Sequence, residues 1–239
     1  MGIRRGSIST PIIADGLVFN MDAANRASTI PSTSTDKAFN TIDTTVSGSF
    51  INDTFYDSST ISPTFAFDGT NDFIDLSSLT SYSSNDPHTY SAWINSNSLS
   101  GGAGYKWILN NGAAGTGTSL VTSNDKIGFF WQGGNAMKRG SITLSTSTWY
   151  NLTTCYHGSS LTYDMYVNGV LDTSSNTSSA TAGSATTWSS GNSNPRYGAW
   201  FNDNYDWNGN IGPLQVYNRA LSANEVLHNY NALKGRFGL

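Results

Sequence analysis

The chain has one cysteine, Cys155, one glutamate, Glu225, and three histidines, and only 12% of its 239 residues are Asp, Glu, Lys or Arg, about half the usual share. A lone thiol excludes an intrachain disulfide and a thiolate zinc cluster; lying in a strand-like run, Cys155 reads as a small buried apolar residue. A single glutamate leaves no glutamate pair for acid–base or nucleophilic work, and no Asp-x-Asp or Asp-x-x-x-Asp run falls on a central strand to replace one. His88, His157 and His228 are too scattered for a metal motif or a triad and read as surface or turn residues. The glycine-rich stretches 101–104 and 112–117 lack a phosphate-loop lysine and read as turns. Net charge is only −4, and the basic pairs Arg4-Arg5 and Lys138-Arg139 stand far apart, so no stripe exists to neutralise a nucleic acid backbone. No stretch approaches the roughly 18 apolar residues of a membrane span. Arg4-Arg5 is followed by Gly-Ser-Ile-Ser-Thr-Pro, which fails as a secretory signal.

What the sequence does hold is aromatic area and turn residues. Seven Trp, twelve Tyr and eleven Phe supply enough apolar surface to offset the entropy of ordering. Short β-rich runs recur at 64–67, 73–76, 89–94, 105–109 and 126–131, the spacing of an all-β sandwich. In 89–95, Tyr90, Ala92 and Ile94 share one face and Ser91, Trp93 and Asn95 the other; Tyr150, Leu152, Thr154 and Tyr156 repeat this period of two. Asn168-Gly169 predicts a tight hairpin between 161–167 and 170–172. Residues 17–21 read as a first strand, 24–63 as long loops with short edge pieces, 174–193 as a Ser/Thr-rich loop, and 196–201 and 211–217 as late strands. Ser222 and Glu225 form a capping box, Leu221 and Val226 a hydrophobic staple, and Val226, Leu227, Tyr230 and Leu233 keep helical spacing up to Gly235. The organisation expected is an arm over 1–14 and one all-β domain over 15–239, a two-sheet antiparallel jelly-roll sandwich closed by one short C-terminal helix.

Six motifs in order, Gly16-Leu-Val-Phe-Asn-Met-Asp-Ala-Ala-Asn25, Phe67-Asp-Gly-Thr-Asn-Asp-Phe73, Tyr90-Ser-Ala-Trp-Ile94, Trp149-Tyr-Asn-Leu152, Tyr166-Val-Asn-Gly-Val170 and the closing run from Gly209 to Ser222, resemble laminin-G-like jelly rolls of the concanavalin A-like superfamily. The opening Asp22-Ala-Ala-Asn25 also looks like jelly-roll proteins of tailed bacteriophages. That resemblance implies a non-catalytic virion component, a capsid decoration or tail-associated protein made in the host cytoplasm. Its arm residues Arg4, Arg5, Ile8, Ile12 and Ile13 would dock on other virion proteins or on a second copy. The alternative is a lectin module for surface glycans. Glycanases of this superfamily use two glutamates, which the chain lacks, so no enzyme is expected. For sugar, the best patch is Arg196, Tyr197, Trp200, Asn202, Asp203, Tyr205 and Trp207, whose rings stack on pyranoses while the amides and carboxylates bond hydroxyls. Trp200 and Trp207 serve equally well as inter-sheet core or as a subunit interface. No cofactor is required. Calcium is the candidate ion, at Asp68, Asn71 and Asp72, with turn capping as the competing role for the two aspartates.

Overall fold

The computed structural model describes residues 11–28, 37–60, 62–99, 104–112, 116–131, 136–172, 176–177, 195–200 and 205–239. Among them lie strands β1 (Leu17–Met21), β2 (Lys37–Phe39), β3 (Ser47–Ile51), β4 (Phe55–Asp57), β5 (Thr64–Asp68), β6 (Phe73–Leu76), β7 (His88–Ser96), β8 (Tyr105–Asn111), β9 (Thr118–Ser123), β10 (Lys126–Trp131), β11 (Ala136–Arg139), β12 (Trp149–Tyr156), β13 (Tyr163–Val167), β14 (Val170–Leu171), β15 (Asn176–Thr177), β16 (Arg196–Tyr197) and β17 (Asn208–Tyr217), followed by the helix α1 (Ala223–Leu233). They form two sheets. The first runs β14-β13-β12-β7-β17-β5-β4 with β1 also on β17; the second runs β15-β11-β10-β9-β8-β16-β6-β3-β2. Every strand pair is antiparallel. This is the expected jelly-roll sandwich with one helix. Among the described residues no helix is long and apolar enough to cross a membrane.

Strand β17 is paired along both edges. β7 flanks it on one side, while on the other its first half meets β5 and its second half meets β1. The change of partner falls at Gly212-Pro213, where the β7 register shifts between Ile211 and Leu214; a bulge accommodates a proline that has no N–H for the ladder. Gly212 also leaves room for close packing, since a Cβ there would stand 3.0 Å from the Phe237 ring and 3.1 Å from Trp93 Cβ.

Alternation sorts the side chains as the sequence predicts. Tyr90, Ala92, Ile94, Leu152 and Tyr156 face the inter-sheet core with Phe129, Trp131, Ile211 and Val216, while Trp93 turns outward and is covered by the C-terminal segment. Its ring stacks on Phe237 at 4.3 Å and on Tyr230 at 5.7 Å between centroids. The helix starts as predicted: Ser222 Oγ accepts from the Glu225 amide, and Glu225 Oε2 accepts from the Ser222 amide at 2.9 Å. It also ends as predicted, at Leu233 with Lys234 as C-cap directly before Gly235. The chain then continues as a 3-10 turn over Lys234–Phe237 that closes at Gly238 with φ 75° and docks Phe237 on Trp93. Arg236 in the turn grips Asp22 through two bonds of 2.7 and 2.8 Å, so the Asp22-Ala-Ala-Asn25 motif joins the first strand to the last turn.

Residues 11–14, expected as the end of a free arm, pack against the body. Ile13 donates its amide to Asn229 Oδ1 at 2.8 Å and accepts from the Tyr217 hydroxyl at 3.0 Å, and its side chain joins Cys155, Tyr217, Leu221 and Val226. Ile12 is half-buried in the same segment. Arg4, Arg5 and Ile8 lie outside the described residues. Cys155 is fully buried, and burial pushes its thiol up to about 12.

His88 departs from the surface role expected of it. It is 0% exposed, stacked on Tyr82 at 4.4 Å with Tyr90, Tyr156 and Phe129 around it, and hydrogen-bonded to the Asp86 carbonyl and to Thr118 Oγ1. Thr118 pairs in turn with the Tyr90 hydroxyl, which accepts from Asn111. Burial lowers the imidazole pKa from 6.5 to about 4. The unfolded chain therefore takes up this proton first as pH falls, and stability complete above pH 6.5 is lost on the way to pH 4. Urea denaturation should show about 2 kcal/mol less stability at pH 5 than at pH 7, with most of that difference absent in His88→Phe; an equal pH dependence in both chains would contradict the buried, neutral imidazole.

Candidate functional site

The expected sugar patch is divided by the sandwich. Tyr197 and Trp207 are fully buried in the inter-sheet core, whereas Trp200 and Tyr205 sit on the other face of the second sheet, packed on Trp107, Val121, Phe130 and Met137. The two buried rings anchor the segment. The Tyr197 hydroxyl donates to the Gly212 carbonyl at 2.5 Å, the Trp207 amide to the Gly198 carbonyl at 2.7 Å, and the Gly198 amide to the Ile108 carbonyl at 2.9 Å. Gly198 has φ +95°, and a Cβ would stand 2.6 Å from the Phe67 ring, so only glycine lets the chain turn here. The Trp107 amide donates to the Tyr205 carbonyl at 3.1 Å, and Lys106 Nζ to the Asp206 carbonyl at 2.6 Å.

On the outer face Trp107 forms the floor. Its centroid lies 5.5 Å from Trp200 and 5.3 Å from Tyr205, both near-parallel at 30° and 29°, and 5.5 and 5.8 Å from Phe130 and Tyr105, both edge-on. Trp107 is buried and its Nε1 has no hydrogen-bond partner. Trp200, Tyr205 and Tyr105 are half-exposed. Arg196 borders this platform: its guanidinium lies 4.0 Å over the Phe73 ring and donates to the Trp200 carbonyl at 2.9 Å, with exposed Asp75 and buried Asn110 as cross-strand neighbours. Asn202 and Asp203 lie outside the described residues. Sequence reading missed Trp107, although Tyr105 and Trp107 at spacing two carried the signal; a bulge between Trp107 and Leu109 interrupts the alternation that marks the outer face.

The calcium candidates are brought together as a turn lock. Asp72 is 1% exposed, and its two carboxylate oxygens accept the amides of Asp53 at 2.9 Å and Asp68 at 2.8 Å. Asp68 Oδ1 accepts the Thr70 amide at 2.7 Å, and the Asn71 carbonyl accepts from Asn52 at 2.7 Å. Burial raises the Asp72 pKa against those amide bonds. These oxygens point at backbone donors and do not converge on a cation, which fits the capping role rather than the calcium donor set. Among the described residues no group of three or more His, Cys, Asp or Glu side chains could hold a metal ion.

Glu225 is held by Arg219 through bonds of 2.6 and 3.0 Å in addition to the capping box. The guanidinium, with help from Ser222, lowers its pKa to about 2. A carboxyl held so low stays ionised near neutral pH and has no proton to give as a general acid.

Solved structures similar to this chain share its fold. The binding domain of Paraclostridial Mosquitocidal Protein 1 matches with a TM-score of 0.67 and 17% identity over 91% of this chain and 52% of that one. The botulinum neurotoxin serotype D ligand binding domain, in complex with N-acetylneuraminic acid, matches at 0.65 and 16% over 91% and 51%. Domain 4 of a GH43 extracellular arabinanase from Geobacillus stearothermophilus, in complex with arabinotriose, matches at 0.60 and 15% over 90% and 98%. The chain thus spans about half the length of the toxin domains and nearly all of the arabinanase domain. No curated protein sequence matches. A family model described as the concanavalin A-like lectin/glucanases superfamily matches residues 68–227, more than half of the 239, and the chain belongs to that superfamily.

Proposed function

We propose that this jelly roll is a non-catalytic glycan-binding module whose ligand lies against Trp107, Trp200 and Tyr205. The observation that carries this reading is the pair of half-exposed rings stacked near-parallel on a buried indole with an unpartnered N–H. Such faces suit the apolar side of a sugar ring, while Arg196 and Asp75 at their border suit its hydroxyls. Support comes from the neighbours in complex with N-acetylneuraminic acid and arabinotriose. The non-catalytic part rests on the single glutamate, committed to Arg219 and to the helix cap. On a glycan array the chain should retain at least one oligosaccharide, and Trp200→Ala or Tyr205→Ala should weaken it by about tenfold, the equivalent of one aromatic contact, in a chain that still unfolds cooperatively. An array without binders would sink the proposal. Reducing-sugar release that disappears in Glu225→Gln would overturn its non-catalytic part.

The setting we propose is display on a virion, as a capsid decoration or tail-associated protein, where many copies grip a surface through weak individual contacts. The sequence resemblance at Asp22-Ala-Ala-Asn25 supports it. Since residues 11–14 belong physically to the body, residues 1–10 are the part available as an assembly arm. Removing 1–10 should abolish incorporation into particles and leave the melting temperature within about 2 °C of the full chain, the effect of about 1 kcal/mol or less at this chain length; normal incorporation would refute the arm's role.

A further inference from the structure

Where β1 of the first sheet meets the loop joining β2 to β3 in the second, the sandwich opens into a cavity of about 180 Å³. Its floor belongs to the core: Phe19 is 1% and Leu79 5% exposed, with half-buried Val18 and Val46 beside them. Its rim is polar and accessible, formed by the exposed residues Asp43, Ser78 and Thr80. The cavity shares no residue with the aromatic platform on the outer face of the second sheet, so the two stand or fall separately.

Both walls are fixed from behind. Asn40 is 1% exposed; its Oδ1 accepts the Asn20 amide at 2.9 Å and the Ile42 amide at 3.1 Å, and its Nδ2 donates to the Val18 carbonyl at 3.3 Å. Asn20 Nδ2 donates to Thr41 Oγ1 at 2.8 Å, and the Val46 amide to the Asp43 carbonyl at 3.0 Å. The loop that carries Asp43 is thereby strapped to β1. On the other wall, the Ser77 amide donates to the Ser47 carbonyl at 2.8 Å and Asn111 Nδ2 to the Thr80 carbonyl at 2.9 Å. A ligand entering a site already held in place loses little to ordering of the protein.

The groups left over decide what the cavity takes. Asp43 is the one charged residue among the described residues that line it. Its Oδ1 accepts from the Thr45 hydroxyl at 2.6 Å and the Thr45 amide at 3.0 Å, bonds that hold the carboxyl below its ordinary pKa. Its Oδ2 has no partner among the described residues, and neither has the Ser78 hydroxyl. An ionised carboxylate only accepts, so the ligand has to bring hydroxyl or ammonium donors, and a ligand carboxylate is repelled. Size narrows the choice further. A cavity of about 150 Å³ takes a benzene ring, so this one, at about 180 Å³, holds one six-membered ring and not a chain of them. An apolar floor below a rim of acceptors matches a ring with C–H bonds on one face and hydroxyls around its edge.

We infer that this cavity seats a single pyranose residue, neutral or amino-bearing, with Asp43 and Ser78 on its hydroxyls and Val18, Val46 and Leu79 under its ring, and that it turns away acidic sugars. Methyl resonances of Val18, Val46 and Leu79 in the full chain, followed by NMR, test it. The probes are the methyl glycosides of D-glucose, D-galactose, D-mannose, D-glucosamine and D-glucuronate, with methylammonium as the control for a bare cation. At least one of the first four should shift these methyls; glucuronate and methylammonium at the same concentrations should not. Asp43→Asn should weaken the effective glycoside by about tenfold, the loss of one charge-assisted bond, while its amide oxygen still accepts from Thr45. Ser78→Trp, a change at an exposed position, should fill the opening and abolish the shifts in a chain that still unfolds cooperatively. Indole signals of Trp107 and Trp200 report the platform in the same spectra, so failure of that site leaves this readout standing. Unmoved methyls with all four glycosides, equal shifts with glucuronate or methylammonium, or undiminished binding by Asp43→Asn would each overturn the inference.

Discussion

The hydrogen bond from the Tyr197 hydroxyl to the Gly212 carbonyl crosses the core and ties the two sheets at the place where β17 changes partner. The geometry around it follows from that tie. Pro213 has no amide for the ladder, so β17 bulges; Gly212 has no side chain, so Phe237 and Trp93 close over the outer face. Burial of Tyr197 raises its hydroxyl pKa well above 10, which keeps it a donor across the whole physiological range.

The same tie positions the aromatic platform. Residues 196–207 leave the second sheet at Tyr197 and enter the first at Asn208, with Tyr197 and Trp207 sunk in the core at the two ends. Trp200 and Tyr205 have only to fold back onto Trp107 between fixed points. Burial and exposure are therefore divided within one aromatic-rich segment, buried rings fixing its ends and partly exposed rings presenting a surface. Surface rings set on a rigid scaffold lose little conformational freedom when a ligand arrives.

Much of this was legible in the residues, for identifiable reasons. Period-two alternation placed Tyr90, Ala92 and Ile94 in the core because one face of β7 is buried whatever covers the other. Ser222 and Glu225 marked the helix start because capping is local chemistry. The segment 118–123, which pairs with both β8 and β10, was passed over because its Ser and Thr residues resemble those of the neighbouring loops. The 3-10 turn that follows the helix was not legible, because the contact it makes, Phe237 on Trp93, is tertiary. The burial of His88 was invisible for the same reason, since its partners Thr118, Phe129 and Tyr156 come from distant segments. The division of the 196–207 segment was not legible, since Tyr197 and Trp207 differ from Trp200 and Tyr205 only in where the sheets place them.

The central claim is that the outer aromatic face, and not the buried rings, receives sugar. Indole N–H resonances of the seven tryptophans, followed by NMR during titration with a neutral oligosaccharide selected on the array, test it most directly. The account predicts that Trp107 and Trp200 shift with the ligand while Trp93 and Trp207 stay in place. Shifts confined to other tryptophans, with Trp107 and Trp200 unmoved at saturation, would contradict it.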